Sequence, residues 1–349
     1  MTTAGMFSRL DGPVSFALPL RALAVLGLLL GLCCVLLIVS LMAGSYPLGA
    51  LDVVATLTGR PPSEMAQTVV WQFRFPRTLA ALAAGALLAL SGAALQNVTR
   101  NPLADPSLVG VSQGAGLAVV AAIVVWPDLP QALRPLLAFG GALAVAALIQ
   151  GIAMRRTGGA TMRFILTGIG IAAFISALTS AFLTYGQIDR AVSALGWLAG
   201  SVHAAGWSEA GMLAGTLLCL VPALFAASRP MAAMRMGQDV AVGLGLKVGR
   251  TRAALITLSV ALAASAVAMV GPLGFVGLVA PHIAHRLARS GVGLHLALSA
   301  AAGAALVGAA DLVGRVAFAP VQIPAGLVTA ILGVPIFVWL ILRTQARPA

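Results

Sequence analysis

Residues 229–252 read RPMAAMRMGQDVAVGLGLKVGRTR, the largest polar island in an otherwise apolar chain. The island carries five basic residues (Arg229, Arg235, Lys247, Arg250 and Arg252) against one acid, Asp239. Before it stands WSEAGMLAGTLLCLVPALFAA at 207–227, and after it RAALITLSVALAASAVAMV at 252–270. As a helix rising ~1.5 Å per residue, each flank is long enough to cross a ~30 Å hydrocarbon layer. A basic loop between two such flanks is kept on the cytoplasmic side of a membrane. The fold class follows: membrane helices joined by short polar turns.

The rest of the chain repeats the pattern. Of 349 residues, 60% are hydrophobic and 9% charged, a composition that excludes a soluble globular domain. At about 35 residues per crossing, ten spans use up the length and leave no room for a soluble catalytic domain. The expectation is one all-α polytopic membrane domain over 1–349. Its spans are expected at about 20–43, 78–97, 107–126, 134–153, 163–184, 207–227, 252–270, 274–288, 295–313 and 325–342. A short helix at 189–199 is expected outside the bilayer, on the periplasmic side. The run from Ala22 to Ala43 is too long for the apolar core of a signal peptide, so it reads as the first span. Cys33, Cys34 and Cys219 all fall in spans and suggest neither a disulfide framework nor a metal knuckle.

Orientation follows from the charges. With the N-terminus inside, the inner side holds fifteen basic residues: Arg9, Arg21, Arg100, Arg155, Arg156, Arg163, Arg229, Arg235, Lys247, Arg250, Arg252, Arg286, Arg289, Arg343 and Arg347. The outer side holds six: Arg60, Arg74, Arg77, Arg134, Arg190 and Arg315. Three acids (Asp11, Asp105 and Asp239) lie inside and six outside, so the whole net charge of +12 belongs to the inner face. Both termini are then cytoplasmic. Membrane topology accounts for the high isoelectric point without any nucleic-acid partner.

Several functions are disfavoured. Ionisable groups deep in a membrane mark proton relays and ion paths, and these spans hold few. Asp311 and Arg315, four apart at an outer helix end, are expected to pair with each other. No GxxxxGK[ST] phosphate loop occurs, so any ATP must be hydrolysed by another chain. No HExxH or paired aspartates suggest an intramembrane enzyme, and no catalytic residue or cofactor is expected. His282 and His285 stand i, i+3, but no acid lies nearby and Arg286 and Arg289 flank them, so no metal is assigned. His203 reads as a solvated loop residue. Small residues are read as packing positions: the Gly27/Gly31 GxxxG and the run Gly110, Gly114, Gly116.

Three longer stretches carry a resemblance. They are RFPRTLAALAAGALLALSGAALQNVTRNPLADPSLVGVSQGA (74–115), GPLGFVGLVAPHIAHR (271–286) and GAADLVGRVAFAPVQIPAGLVTAILGVPIF (308–337). Together they resemble the permease subunits of binding-protein-dependent ABC importers for ferric siderophores, haem and cobalamin, the FecCD type. The resemblance implies a type II importer fold of ten helices in the bacterial inner membrane. It also implies a second permease subunit, identical or paralogous, two copies of an ATP-binding subunit and a periplasmic substrate-binding protein. The island then becomes the loop that docks into the ATPase, with Met236, Gly237, Asp239, Ala241, Gly243 and Gly245 as coupling residues. A short amphipathic helix ending at Gly243 and Gly245 would suit a knob entering a partner's groove. Met236 stands where the family often has Leu, a mild departure because a thioether fills apolar pockets well.

On the outer face, Arg74, Arg77 and Arg315 match arginines that grip carboxylates on the binding protein. Guanidinium forks suit such pairing. Asn101, Pro102 and Pro106 read as architectural, breaking the chain between helices two and three. The resemblance lines the translocation path largely with helices five and ten. Here helix five offers the uncharged hydroxyls of Ser176, Thr179, Ser180, Thr184 and Tyr185, which would let a large chelate slide without tight binding. A ferric siderophore is the expected cargo, with haem or cobalamin as the alternative. A secondary transporter without an ATPase is a remote rival, opposed by the scarcity of intramembrane charge.

Overall fold

The computed structural model describes residues 7–10, 16–153 and 160–345. Asp11, Arg155, Arg156 and Arg347 of the charge count lie outside the described residues. The described residues open with an antiparallel pair, β1 (Phe7–Leu10) and β2 (Phe16–Pro19), the only strands among them. Helices follow: α1 (Leu20–Met42), α2 (Ala50–Leu57), α3 (Glu64–Thr68), α4 (Phe75–Thr99), α5 (Val111–Val125) and α6 (Arg134–Ala153). Next come α7 (Ala160–Tyr185), α8 (Ile188–Leu198), α9 (Trp207–Ala226), α10 (Ser228–Met236) and α11 (Gln238–Gly243). The last four are α12 (Val248–Val270), α13 (Val276–Leu287), α14 (Val292–Val316) and α15 (Ala325–Gln345).

Seven helical stretches among the described residues are long and apolar enough to cross a membrane. They contain α1, α4, α6, α7, α9, α12 and α14. Three further expected spans are also helices, but α5 has 15 residues and α13 only 12, and the apolar part of α15 is Ala325–Trp339. The expected span at 78–97 is extended at its N-terminal side: α3 runs through a π-helical stretch (Val69–Arg74) into α4 as one helix from Glu64 to Thr99.

Burial sorts the helices. In α4, 78% of the most apolar window is buried, against 11% in α1 and 17% in α7. α4 is the central shaft; α12, α13 and α14 pack around it, and α1 lies outside against α14. Apolar surface gains little by leaving lipid for protein, so close packing and buried polar pairs hold such a bundle. At Gly85 a Cβ would collide with the carbonyl of Gly303, and at Gly92 with that of Gly277. Glycine is what lets α14 and α13 approach α4 backbone to backbone. Ser91 and Ser259 exchange hydrogen bonds across α4 and α12, each hydroxyl donating to the other's carbonyl at 2.6 and 2.8 Å. Such interhelical bonds contribute about 0.6–2 kcal/mol in a membrane.

The expected packing glycines divide. Gly114 fits against Gly141 and Val145, and Gly110 against Val145 and Ile149. Gly27 and Gly31 have nothing within 4 Å where a Cβ would stand. Their GxxxG spacing therefore closes no contact within this chain, because α1 turns that face outward.

Candidate functional site

The polar island forms two short helices rather than one. α10 ends at Met236, the chain turns at Gly237, and α11 begins at Gln238. Gly237 has φ +135°, a conformation side-chain-bearing residues rarely adopt, so the turn requires glycine. The island's last residues, from Val248, already belong to the first turns of α12. Met236 is 73% exposed, and Val240, Val242 and Leu244 are exposed with it. Gly243 and Gly245 close this protruding tip. Ala241 is fully buried, so the knob turns Ala241 inward as its anchor rather than outward. Val240, Val242 and Leu244 were not singled out from the sequence. The available signal was three exposed apolar residues inside a polar island.

The knob is tied to the central shaft. Arg100, in the left-handed conformation that ends α4, donates from Nε to the Met234 carbonyl of α10 at 2.9 Å. Met231 and Met234 pin α10 by burial. Beyond Arg100, the Asn101 Oδ1 accepts the Leu103 N–H at 2.9 Å, and Asp105 Oδ1 accepts the Ser107 N–H at 2.7 Å. Pro106 opens a short 3-10 turn, Pro106–Val109, needing no N–H of its own. Asn101, Pro102 and Pro106 thus lie in the connection 100–110 that joins α4 to α5, where side chains satisfy part of the non-helical backbone. Burial pushes the Asp105 carboxyl above its usual range, against the opposing pull of the Ser107 hydrogen bonds.

Around the opposite end of α4 stand the three arginines Arg74, Arg77 and Arg315, the last on α14. All three are buried, and their guanidinium groups are engaged by their own chain. Arg74 donates to the carbonyls of Leu41 at 2.7 Å, Met42 at 3.1 Å and Tyr46. Arg77 grips Asp311 through Nε and Nη2, with Nη2 at 2.7 Å, and its Nη1 donates to Gln322 Oε1 at 2.9 Å. Arg315 Nη2 donates to the carbonyl and hydroxyl of Ser40 at 2.8 and 2.7 Å. The Thr78 hydroxyl donates to the Arg74 carbonyl at 2.7 Å, which makes Ser40 the donor in the 2.6 Å Ser40–Thr78 contact. One directed chain thus runs from Arg315 through Ser40 and Thr78 to the Arg74 backbone.

Two sequence expectations change here. Asp311 pairs with Arg77, 234 positions away, rather than with Arg315 on its own helix. The i, i+4 spacing makes Asp311 and Arg315 neighbours on one face of α14, but the guanidinium of α4 reaches the carboxylate with a two-nitrogen fork. His203 is exposed, yet its Nδ1 lies 3.0 Å from Arg77 Nη1. Arginine can only donate, so this imidazole nitrogen is the acceptor. These groups border a cavity of about 630 Å³ that Trp197, Ser201 and Pro320 also line. Beside it, backbone bonds tie the end of α12 and the start of α15 to the turn at Gly200–Ser201. Ser201 N–H donates to the Val270 carbonyl at 2.7 Å and Gly326 N–H to the Gly200 carbonyl at 2.9 Å, as non-helical backbone within a membrane protein requires.

Of the expected path residues, Ser176, Ser180, Thr184 and Tyr185 are exposed along α7, with Tyr185 90% exposed. Thr179 is half-buried, its hydroxyl donating to the Ile175 carbonyl at 2.9 Å. Leu166, Ile169 and Phe174 are also exposed on this helix. α7 thus shows mixed hydroxyl and apolar surface outside the fold of the single chain.

The sequence pattern of the FecCD transport family matches residues 32–343. The chain belongs to the FecCD transport family. It is 39% identical over 331 residues to the "Probable siderophore transport system permease protein YfhA" of Bacillus subtilis, spanning 93% of this chain and 96% of that one. It is 36% identical over 280 residues to the vitamin B12 import system permease protein BtuC of Escherichia coli, covering 79% and 84%. Its fold is similar to that of a solved ABC transporter of metal-chelate type in an inward-facing conformation. There the TM-score is 0.81 at 27% identity, covering 92% of this chain and 99% of that chain. As a FecCD member with seven membrane-crossing apolar helical stretches, the chain is a multi-pass membrane permease.

Proposed function

We propose that this chain is the permease subunit of an ATP-driven importer that carries an iron chelate, a ferric siderophore first, from periplasm to cytoplasm. The observation that carries the reading is the α10–Gly237–α11 knob. It presents Met236, Val240, Val242 and Leu244 outside the chain's own core while Arg100 and Ala241 hold its base. An exposed apolar tip on a rigid, basic base is what a groove in a separate ATPase can grip. No phosphate loop exists in this chain, so ATP would act through that contact, two copies serving two permease subunits.

In this reading ten helices span the inner (cytoplasmic) membrane, both termini and the knob are cytoplasmic, and α8 lies on the periplasmic side. The exposed face of α7 meets the second permease subunit and, with Ser176, Thr179, Ser180, Thr184 and Tyr185, lines the path. The substrate-binding protein docks at the outer end of α4. The guanidinium groups of Arg74, Arg77 and Arg315 are engaged internally, so they shape that docking surface by holding Tyr46, Asp311, Gln322 and Ser40 in position. Haem or cobalamin remains the alternative cargo.

The test replaces Val240 and Leu244 by aspartate together. The variant should insert and accumulate normally but lose co-purification of the ATPase and uptake of 55Fe-siderophore. Full ATPase association in the variant refutes the knob as the coupling element. Uptake of labelled cobalamin or haem, with no uptake of ferric siderophore by the intact system, refutes the cargo.

A further inference from the structure

A second cavity lies at the Arg100 end of α4, where α4, α10, α13 and α14 meet, with a volume of about 290 Å³. Arg100, Arg235, His282, His285, His295 and Asn97 line it, and no Asp or Glu does. Its polar groups are largely unused. Arg100 commits only Nε, to Met234, and the Arg235 guanidinium has no hydrogen bond or ion pair among the described residues. None of the three imidazoles has a hydrogen-bond partner among them; His285 and His295 meet only edge to face, at 6.0 Å between ring centres. Asn97 keeps one amide hydrogen after bonding the Ala93 carbonyl. Among the described residues no set of three or more His, Cys, Asp or Glu is arranged to hold a metal, and two guanidinium groups would repel a cation.

We propose that this cavity is a binding site for a phosphate oxyanion. Arg100 and Arg235 are both exposed and line the same half-open cavity with no carboxylate in its lining, so they make an electropositive pocket that attracts an anion from solution. Donors arrive from four helices rather than in one plane. That arrangement suits a tetrahedral anion with several acceptor oxygens better than a flat carboxylate. The volume exceeds the space needed for a few waters, so the anion can enter with part of its hydration or with an ester tail. Free phosphate or a phosphate ester is one source. The other is an anionic lipid headgroup, which rests on the topology above, since that puts this end at the inner headgroup layer.

The full chain, purified in detergent, is titrated with inorganic phosphate against chloride at equal ionic strength while its thermal midpoint is followed. In parallel it is placed in nanodiscs of phosphatidylcholine with and without phosphatidic acid. A saturable rise with phosphate, weakened at least tenfold in apparent affinity by R235Q and by H285Q, supports the site with a soluble source. A rise seen only with phosphatidic acid, and lost in the same variants, supports the lipid source. No response in either arm, or a response that both variants keep in full, overturns the proposal. Neither arm involves an ATPase or transport, so its failure is separate from failure of the functional reading.

Discussion

Replacing Asp311 by alanine should be among the most damaging single changes available in this chain. Asp311 is 3% exposed and accepts from both Nε and Nη2 of a buried Arg77. Without it those two donors face an empty site, while Gln322 and His203 still hold the third nitrogen in place. Breaking a buried pair by removing one partner costs about 3–5 kcal/mol, because the remaining charge is stranded. At ~1.4 kcal/mol per tenfold, that is a hundredfold or larger loss in the folded-to-unfolded ratio. Equilibrium unfolding in mixed micelles measures it. Removing the charge on the other side as well, as in D311L/R77M, should recover most of the loss. The partner assignment is tested by a contrast: D311L/R315M should not recover it, because Arg315 bonds Ser40. An Asp311→Ala protein within ~0.5 kcal/mol of the parent, or better rescue through Arg315 than through Arg77, would refute the reasoning.

Gly92→Ala drives a methyl into the Gly277 carbonyl and should cost about 1–3 kcal/mol in the same unfolding assay, whereas Gly27→Ala, facing open space, should be within ~0.5 kcal/mol of the parent. Arg100→Met removes a charged donor from the Met234 carbonyl and should cost ~1.5–3 kcal/mol. Its local signature is faster proteolysis within 236–247 while the outer loops stay resistant. Asp105 carries a carboxyl raised by burial, so the folded state binds its proton more tightly than the unfolded state does. Stability should therefore rise as pH falls from the raised value toward the ordinary carboxylate value near 3.8, and level off below it. Asp105→Asn should remove that slope from a pH series of unfolding midpoints; an unchanged slope counts against Asp105 as its source.

Helix positions were legible because length and apolarity alone decide whether a segment suits a bilayer. The partnerships were not. Asp311 and Arg315 looked like a pair because spacing within a helix is visible in sequence, while the approach of Arg77 depends on how α4 and α14 cross. Gly27 and Gly31 carry the same local pattern as glycines that do pack, and only the face that α1 turns outward separates them. Ala241 shows the same limit at the knob. A six-residue helix has one inward position, and composition does not say which residue takes it. The arginines were recognisable as a set, but their burial depends on Ser40, Thr78 and Gln322, three ordinary polar residues that no motif marks.

α4 spans 25 residues, about 37 Å as a helix. Its C-terminal end holds the knob through Arg100, and its N-terminal end holds the arginine cluster through Arg74 and Arg77. The π-helical stretch lies just before Phe75, at the arginine end, and no proline stands in α4 beyond Pro76 in its first turn. A push on the knob thus meets a stiff strut whose soft joint is at the far end. If α4 moves as one body, whatever clamps the arginine cluster would also resist movement of the knob, by the same free energy in both directions.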